Sequence, residues 1–353
     1  MGKYTAIDDP SAHFQTATWS GNAGTQSITN DGNSDLQPDW VWTKSRSDSS
    51  LHLVTDSTRG TGKRIYPSST AAEESHSNMV TAFNSDGFSI GNHSAINTNG
   101  YNYVGWQWKA NGGTTSSNGD GGITSTVQAN TTAGFSIATY TGNSNNPSSI
   151  GHGLGVVPKF YVIRQRNGTN AWKVWHSHLA ATDPEDYVIE LNTTGARENN
   201  TIWNDTGPTS SVINFTDHGS VNQSGDTYVC YAFAEKQGYS KFSGYTGNGN
   251  SNGPFVYTGF KPAFVMIKRT DDTGGWTIYD TKRGFNGNNY ELFPHSAEAE
   301  YTGTSYFEAD ILSNGFKLRL TDGQINASSG TYVYAAFAES PFVTSTGIMG
   351  TAR

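Results

Sequence analysis

Short stretches of alternating hydrophobic and polar residues, separated by turns rich in Gly, Asn, Ser and Asp, recur along the whole chain. Such alternation predicts half-buried β-strands, and polar turns such as 271–275 suit hairpins. Phe160 and Val162 are expected to face one side of a sheet and Tyr161 the other. Stretches that are apolar at nearly every position, such as 228–234, predict strands with both faces covered. The pattern therefore predicts an all-β protein.

The same landmarks occur three times. Each copy has a Pro ahead of an aromatic strand and a Tyr in a closing aromatic strand, and these six framework positions are Pro38, Pro158, Pro262, Tyr103, Tyr228 and Tyr332. Phe160 lies 68 residues before Tyr228. Phe264 likewise lies 68 residues before Tyr332. Equal spacing between independent matches indicates internal repetition, in which the first copy is the most divergent.

The repeats divide the chain into six segments. These are an N-terminal arm (1–13), repeat 1 (14–110), a linker rich in Gly, Ser and Thr (111–133), repeat 2 (134–237), repeat 3 (238–342) and a loose C-terminal tail (343–353). The linker composition predicts a flexible or extended segment. About seven short strands per repeat are typical of a β-sandwich. The predicted fold class is all-β, with three tandem β-sandwich modules of jelly-roll or lectin-like type.

Composition narrows the function classes. Only 15% of residues are charged, but aromatic residues reach 12%, which disordered chains do not. The net charge of −8 without a basic stripe argues against nucleic acid as a partner, and no apolar stretch is long enough to span a membrane. Cys230 is the one cysteine, so neither an internal disulfide nor a cysteine-based metal site is expected.

Several longer strings resemble a known family. They are GHGLGVVPKFYVI (151–163), GYSKFSGYTGNGNSNGPFVYTGFKPAFVMIKR (238–269), LSNGFKLR (312–319) and TYVYAAFAESPF (331–342). They are similar to a β-rich repeat module of structural proteins from marine bacteriophages, of the cyanophage and pelagiphage type. The resemblance covers 135–342 well and 14–110 more loosely.

The resemblance implies a virion protein and supplies no catalytic residue and no cofactor. The partners it implies are other virion proteins of the capsid or tail, with host surface glycan as a further candidate. Phage fibres are often homotrimers, which suggests a homotrimer here. Three internal repeats could equally give one chain a pseudo-threefold shape.

Candidate chemistry is sparse. His176 and His178 would point to one face of a strand, ahead of an acidic stretch at 183–186, and could supply two imidazole ligands to a metal. Ordinary strand histidines are the favoured interpretation, and no metal site is predicted. Paired carboxylates could hydrolyse polysaccharide, and the available acids are Asp271, Asp272, Glu298, Glu300, Glu308 and Asp310. The sequence does not place any two of them at catalytic separation, so no enzyme activity is predicted.

Aromatic side chains offer a binding alternative. Trp19, Trp203 and Trp276 lie beside polar loops, and exposed aromatic faces stack on sugars, so these three residues are candidates for glycan contact. Against this, Trp172 and Trp276 recur at equivalent positions, which suggests framework use. Acids at the ends of the closing strands and two equivalent arginines are expected to be structural; they are Glu235, Glu339, Arg59 and Arg283.

The sequence therefore predicts a non-enzymatic bacteriophage structural protein on the particle surface. Capsid decoration or an accessory fibre is the leading prediction. A tail fibre or receptor-binding protein that contacts host glycan is the first alternative, and a polysaccharide depolymerase spike is the second. The short arm and the absence of a heptad or collagen-like shaft favour decoration over a long fibre.

Overall fold

A computed structural model describes residues 4–284, 286, 290–302 and 309–350. These residues form an all-β protein with antiparallel sheets. The helical elements are single turns: α1 (Ser94–Asn97), α2 (Gly219–Asn222), α3 (Gly323–Asn326) and 3-10 turns at Pro10–Ala12, Pro184–Asp186 and Thr201–Trp203. None of the helices in the described ranges is long and apolar enough to cross a membrane.

Repeat 1 folds into two main sheets. Its strands are β1 (Phe14–Ser20), β2 (Gln26–Ile28), β3 (Trp40–Ser45), β4 (Leu53–Asp56), β5 (Lys63–Arg64), β6 (Glu74–Ser75), β7 (Val80–Phe83), β8 (Phe88–Ile90) and β9 (Asn102–Trp108). The four-stranded sheet has the order β1-β9-β3-β4, and the three-stranded sheet has the order β2-β8-β7. Short strands β5 and β6 pair with each other. The closing strand β9 lies between β1 and β3, as its apolar sequence predicts.

Repeat 2 contributes to the largest sheet. The strands from the linker to the end of this repeat are β10 (Ser116–Asn118), β11 (Ser125–Asn130), β12 (Phe135–Thr141), β13 (Ser148–Gly151), β14 (Phe160–Gln165), β15 (Lys173–His176), β16 (Tyr187–Glu190), β17 (Glu198–Asn199), β18 (Val212–Phe215) and β19 (Thr227–Phe233). The eight-stranded sheet runs β10-β11-β12-β19-β14-β15-β16-β17, and β13 pairs with β18.

Repeat 3 repeats the pattern of repeat 1. Its strands are β20 (Ser240–Thr246), β21 (Phe255–Tyr257), β22 (Phe260–Arg269), β23 (Trp276–Asp280), β24 (Ala309–Leu312), β25 (Gly315–Leu318) and β26 (Thr331–Pro341). The sheets have the orders β20-β26-β22-β23 and β21-β25-β24. Pro262 lies within β22 at a register shift, a position where a missing N–H does not interrupt regular pairing.

The linker, arm and tail contain structure that the sequence pattern did not specify. The linker, expected to be flexible or extended, holds strands β10 and β11, and β11 pairs with β12 along 126–130. Its alternation buries Val127 while Thr126 stays exposed, and the Gly- and Ser-rich surroundings obscure that signal. In the arm, Tyr4 donates a 2.7 Å hydrogen bond to the carbonyl of Gly259. The described part of the tail folds into a turn whose Ser345 N–H donates to Asp8. Described residues near both ends of the sequence, Tyr4 and Ser345, therefore contact the rest of the protein.

Four hydrophobic clusters organise the sheets. Three are outer clusters, one in each repeat. In repeats 1 and 3 the outer cluster lies between the two sheets, and in repeat 2 it lies on the outer side of the large sheet. The fourth is shared, because inward-facing residues of all three repeats meet in it. Phe160 and Val162 lie in the shared cluster and Tyr161 lies in an outer one, which confirms the predicted alternation. Each repeat thus covers one sheet face by itself and the other face with its neighbours.

A buried tyrosine corner recurs in each repeat. The hydroxyls of Tyr103, Tyr228 and Tyr332 each accept an N–H just after the short helix and donate to a carbonyl in or beside it. At the last residue of each helix a buried Asn donates to loop carbonyls; these residues are Asn97, Asn222 and Asn326. The framework tyrosines therefore fix the helix beside the closing strand.

Replacing Tyr332 by phenylalanine is expected to lower the free energy of unfolding by about 1–2 kcal/mol, because the N–H of Ala327 and the carbonyl of Gly323 lose a buried partner. Urea denaturation measures the loss. Tyr257→Phe is the matched control, since its side chain is exposed and, among the described residues, its hydroxyl has Tyr4 at 3.3 Å as its hydrogen-bond partner. Equal effects of the two variants would contradict the role given to the corner.

Candidate functional site

Polar side chains at equivalent positions form the contacts between repeats. Each repeat contacts both others, and we call these contacts joint 1/2, joint 2/3 and joint 3/1. In each joint, the residue 18 positions after the framework Pro of one repeat meets the closing strand of the next. The residues 18 positions after the prolines are Asp56, His176 and Asp280. They face the closing-strand positions of Tyr231, Tyr334 and Trp106 respectively.

Joint 1/2 contains a buried ion network. The hydroxyl of Tyr231 donates to Asp56 at 2.7 Å, and Arg59 bonds the same carboxylate at 2.5 Å. Arg59 also contacts Glu73 at 2.8 Å, and Arg166 of repeat 2 reaches Glu73 at 2.9 Å. Burial favours the neutral form of Glu73, but hydrogen bonds from Arg166 and Arg59 outweigh it and hold its pKa below the ordinary value. The network thus ties the two repeats together through a fully buried Arg59–Asp56 pair and a partly buried Glu73–Arg166 pair.

Joint 3/1 repeats the network with other residues. The indole of Trp106 donates to Asp280 at 2.9 Å, and Arg283 bonds that carboxylate at 2.5 Å. Arg283 contacts Glu300 at 3.0 Å, and Arg46 of repeat 1 reaches Glu300 at 2.8 Å. Burial would lower the pKa of Arg283, but the charges of Asp280 and Glu300 raise it above the ordinary value. The contacts at these two joints confirm the predicted structural role of the equivalent arginines, Arg59 and Arg283.

Joint 2/3 has a different chemistry at the same positions. His176 replaces the aspartate, and its Nε2–H donates to the carbonyl of Tyr334 at 3.1 Å. Its Nδ1 accepts the N–H of His178, so both nitrogens are engaged in one neutral tautomer. Leu179 stands where the other joints have arginine, and Arg197 donates to its carbonyl. Burial of His176, opposed by its bond to Tyr334, lowers its pKa to about 3.

Three buried cations support the hairpins next to the joints. Lys44, Arg164 and Lys268 each lie six residues after a framework Pro and bond backbone carbonyls. Two of them cross to the neighbouring repeat, where Arg164 donates to Thr70 and Lys268 donates to Gly195, both at 2.7 Å. Burial lowers the pKa of Lys268 to about 8. These charges therefore have structural partners.

A surface groove of about 540 Å³ lies between repeats 1 and 3. Phe14, Gln15 and Thr16 at the start of β1 form one wall, and Ala263 and Thr281 of repeat 3 belong to the opposite wall. Two ion pairs border it, Lys261 with Glu339 at 2.7 Å and Lys282 with Asp31 at 2.6 Å. Its volume is in the range of ligand sites, and its lining mixes apolar groups, uncharged polar groups and these paired charges.

The same extent of chain carries a family relationship. A family model described as a domain of unknown function (DUF7483) matches residues 9–341. The chain belongs to the DUF7483 family. No curated protein matches it. Because the match spans all three repeats and the segment between them, one DUF7483 domain comprises the whole assembly of joints and not a single repeat.

The tryptophans considered for glycan contact are buried in this DUF7483 domain. Trp19 and Trp203 donate to the carbonyls of Ile96 and Tyr187, and Trp276 donates to Glu190 of repeat 2 at 2.9 Å. Their exposed fractions are 8%, 0% and 2%, so none of the three offers a free face to a sugar. The sheets use these large rings to fill the hydrophobic clusters, and the recurrence of Trp172 and Trp276 is the sequence signal for that use.

The other candidate groups are engaged in local structure. Asp271 and Asp272 pair with Arg269 at 3.1 and 3.5 Å, and Glu235 pairs with Lys241 at 2.7 Å. Among the residues that the structure describes, no group of three His, Cys, Asp or Glu side chains is placed to hold a metal. Glu308 lies outside the described residues. The sequence reasoning missed the groove, because it depends on which strand edge is left uncovered.

Acidification is expected to weaken the DUF7483 domain through His176. The pKa of His176 is about 3 in the folded protein and about 6.5 in an unfolded chain, so the unfolded chain binds one more proton between these values. Stability therefore falls with decreasing pH in this window, by about 1.4 kcal/mol per pH unit for this group. Nearby Lys159 and His178 lower the pKa further.

The variant His176→Gln isolates that contribution, because glutamine does not titrate. Urea denaturation of the native protein and the variant between pH 6 and 4 gives two slopes of unfolding free energy against pH. We expect the slope for the native protein to exceed the slope for the variant by about 1.4 kcal/mol per pH unit, which corresponds to one proton. Equal slopes would contradict the assignment.

Proposed function

We propose that the protein is a non-enzymatic structural protein on the surface of a bacteriophage particle, as a capsid decoration or an accessory fibre. The resemblance of 135–342 to phage structural modules supports this function. The observation that carries it is the use of recurring polar side chains: aspartates, arginines and tryptophans at equivalent positions bind neighbouring repeats. Polar side chains that bind one repeat to the next suit a structural protein.

We propose that each repeat is a β-sandwich module of jelly-roll or lectin-like type. Two sheets flank the outer cluster in repeats 1 and 3, which supports this interpretation. The inner sheet faces of all three modules meet in one cluster. This arrangement favours one chain as a pseudo-threefold unit over a homotrimer in which three chains supply the threefold. The proposed partners are other virion proteins.

Receptor binding is the second candidate, because one exposed aromatic pair supports it. Phe255 and Tyr257 are 44% and 53% exposed on the short strand β21. The corresponding strand of repeat 1 exposes Ser27 beside its buried Ile28. An Asn-rich loop, 248–252, precedes the pair, with hydrogen bonds within the loop and to the buried Asn326. Exposed rings next to amides suit contact with host surface glycan.

Immunogold labelling of intact particles of the virus that encodes the chain tests the proposal. Gold distributed over the head would support decoration, and gold on fibres that project from the particle would support the accessory fibre. Gold confined to the tail tip would support the receptor-binding candidate instead. Particles without gold, although the antibody binds the purified protein, would overturn a virion function.

A further inference from the structure

We propose that the groove at joint 3/1 is an acceptor site for an extended, uncharged polar peptide of a partner protein, which adds a strand to the free edge of β1. An edge strand presents N–H and C=O groups that another chain can pair with. The argument compares the three equivalent edges of the molecule, which are those of β1, β12 and β20. It is independent of the proposed virion function, because it depends on the edge geometry alone.

These three strands occupy the same place in their repeats. Each pairs with the closing strand of its repeat: β1 with β9, β12 with β19 and β20 with β26. Beside each edge lies a loop of the neighbouring repeat that is fixed by the same backbone bond. The bonds run from Ser57 N–H to Asp39, from Ser177 N–H to Lys159 and from Thr281 N–H to Ala263, with lengths of 2.8–3.0 Å. The three edges can therefore be compared residue by residue.

At joint 1/2 the chain covers the edge with its own strand. β11 pairs with β12 over 126–130. The amide of Gln128 donates across the joint to the hydroxyls of Ser57 and Thr58, at 2.9 and 2.7 Å. A Cβ on Gly153, in the loop before β14, would lie 3.0 Å from Val127 of β11. The covering strand is thus held by strand pairing, by an amide across the joint and by a loop on its other side.

At joint 2/3 side chains close the equivalent edge. Lys241 of β20 pairs with Glu235 at 2.7 Å. Ser243, further along β20, contacts the imidazole of His178 at 3.4 Å. These bonds join β20 directly to the end of β19 and to the loop after β15. Side chains thus bridge this edge, which β11 covers at the equivalent place in joint 1/2.

At joint 3/1 the described residues leave the equivalent edge without a covering strand. In the part of the chain that the structure describes, β1 pairs with β9 and with no other strand. Thr281 and Lys282, the equivalents of Ser57 and Thr58, line the groove together with Ala263. The loop that contains Gly32 forms the other side, held against β1 because Gly32 N–H bonds Gln15. The groove thus has a strand edge, the hydroxyl of Thr281 and a flanking loop. These correspond to the groups that hold β11 at joint 1/2.

The lining indicates the chemistry of the occupant. The lysines at the rim, Lys261 and Lys282, already have carboxylate partners, so the groove carries no unpaired charge for a charged peptide. β11 itself has the sequence STVQAN, which is uncharged and alternates polar with small apolar residues. A peptide of this type would place an amide near the hydroxyl of Thr281, as Gln128 meets Ser57.

The probe is a fluorescently labelled peptide with the sequence of residues 122–132, added to the full chain. We expect fluorescence anisotropy to report saturable binding, and hydrogen exchange to slow at the amides of 14–18. Ala263→Trp fills the groove and should weaken binding at least about tenfold, a change of about 1.4 kcal/mol. Lys159→Trp is the matched control, because it adds the same ring at the equivalent position of the closed edge and should leave the affinity unchanged.

A second pair of variants protects the test against misfolding of the first. Thr281→Arg should also abolish binding, and Ser177→Arg at the equivalent position should not. Absence of binding, or binding that survives both groove variants, overturns the proposal. Exchange at 14–18 that slows with rising protein concentration without peptide would identify a second copy as the occupant and also overturn it.

Discussion

Replacing Arg59 by methionine is expected to lower the free energy of unfolding by about 3–5 kcal/mol, because the carboxylates of Asp56 and Glu73 then lose their buried cation. The side chains of Arg59 and Asp56 have no exposed surface, so water does not compensate. The loss is measured by urea denaturation at pH 7. The equivalent variant Arg283→Met should cost a similar amount, since it removes the same contact at joint 3/1.

Lys282→Met is the control for Arg59→Met. Its pair with Asp31 is exposed, at 43% and 71% of the side-chain surface, and such pairs contribute about 0–1 kcal/mol. A second substitution tests the mechanism. In the Arg59→Met background, Asp56→Asn removes one uncompensated charge and should restore part of the stability. No recovery, together with a loss no larger than that of Lys282→Met, would contradict the ion network.

Replacing Phe337 by alanine is expected to destabilise all three repeats together, by about 3–5 kcal/mol. The ring of Phe337 lies in the shared cluster, 5.4 Å from Phe14 of repeat 1 and 5.7 Å from Phe233 of repeat 2. The truncation therefore leaves a cavity that borders every repeat. Circular dichroism and tryptophan fluorescence, followed together during urea denaturation, should report one coincident transition at a lower urea concentration.

Phe255→Ala is the matched control for that experiment, because it removes the same side chain from an exposed site of the same repeat. It should change the unfolding free energy by less than about 0.5 kcal/mol. Two separate transitions in the Phe337→Ala protein, with one repeat unfolding alone, would show that the shared cluster does not couple the repeats.

Strand positions were predictable from sequence, because they depend on local pattern. Alternation placed Phe160 and Tyr161 on opposite faces, and equal spacing aligned Tyr228 with Tyr332. The strands within the linker 111–133 were not predicted, because Gly and Ser masked the short alternation of β11. Strand pairing with β12, not local propensity, decides the conformation of that segment.

The contacts at the joints could not be predicted from the sequence, because they connect residues that are far apart in the chain. Trp106 and Asp280 are separated by 174 positions, and each looks ordinary in its own repeat. One signal was present: His176 replaces the aspartate of the other repeats, and Ala335 replaces the polar ring that would meet it. The paired change follows from chemistry, since a histidine donates to the backbone of Tyr334 and needs no partner side chain.

The shared cluster has a consequence for synthesis of the chain. A ribosome releases repeat 1 first, with the inward faces of Trp40 and Trp108 uncovered, and Phe337 is released only some 230 residues later. Throughout that interval the nascent protein exposes a broad aromatic surface, the kind that holds a chain in chaperone-bound or aggregation-prone states. The shared cluster can therefore be completed only after β26, which contains Phe337, has been synthesised.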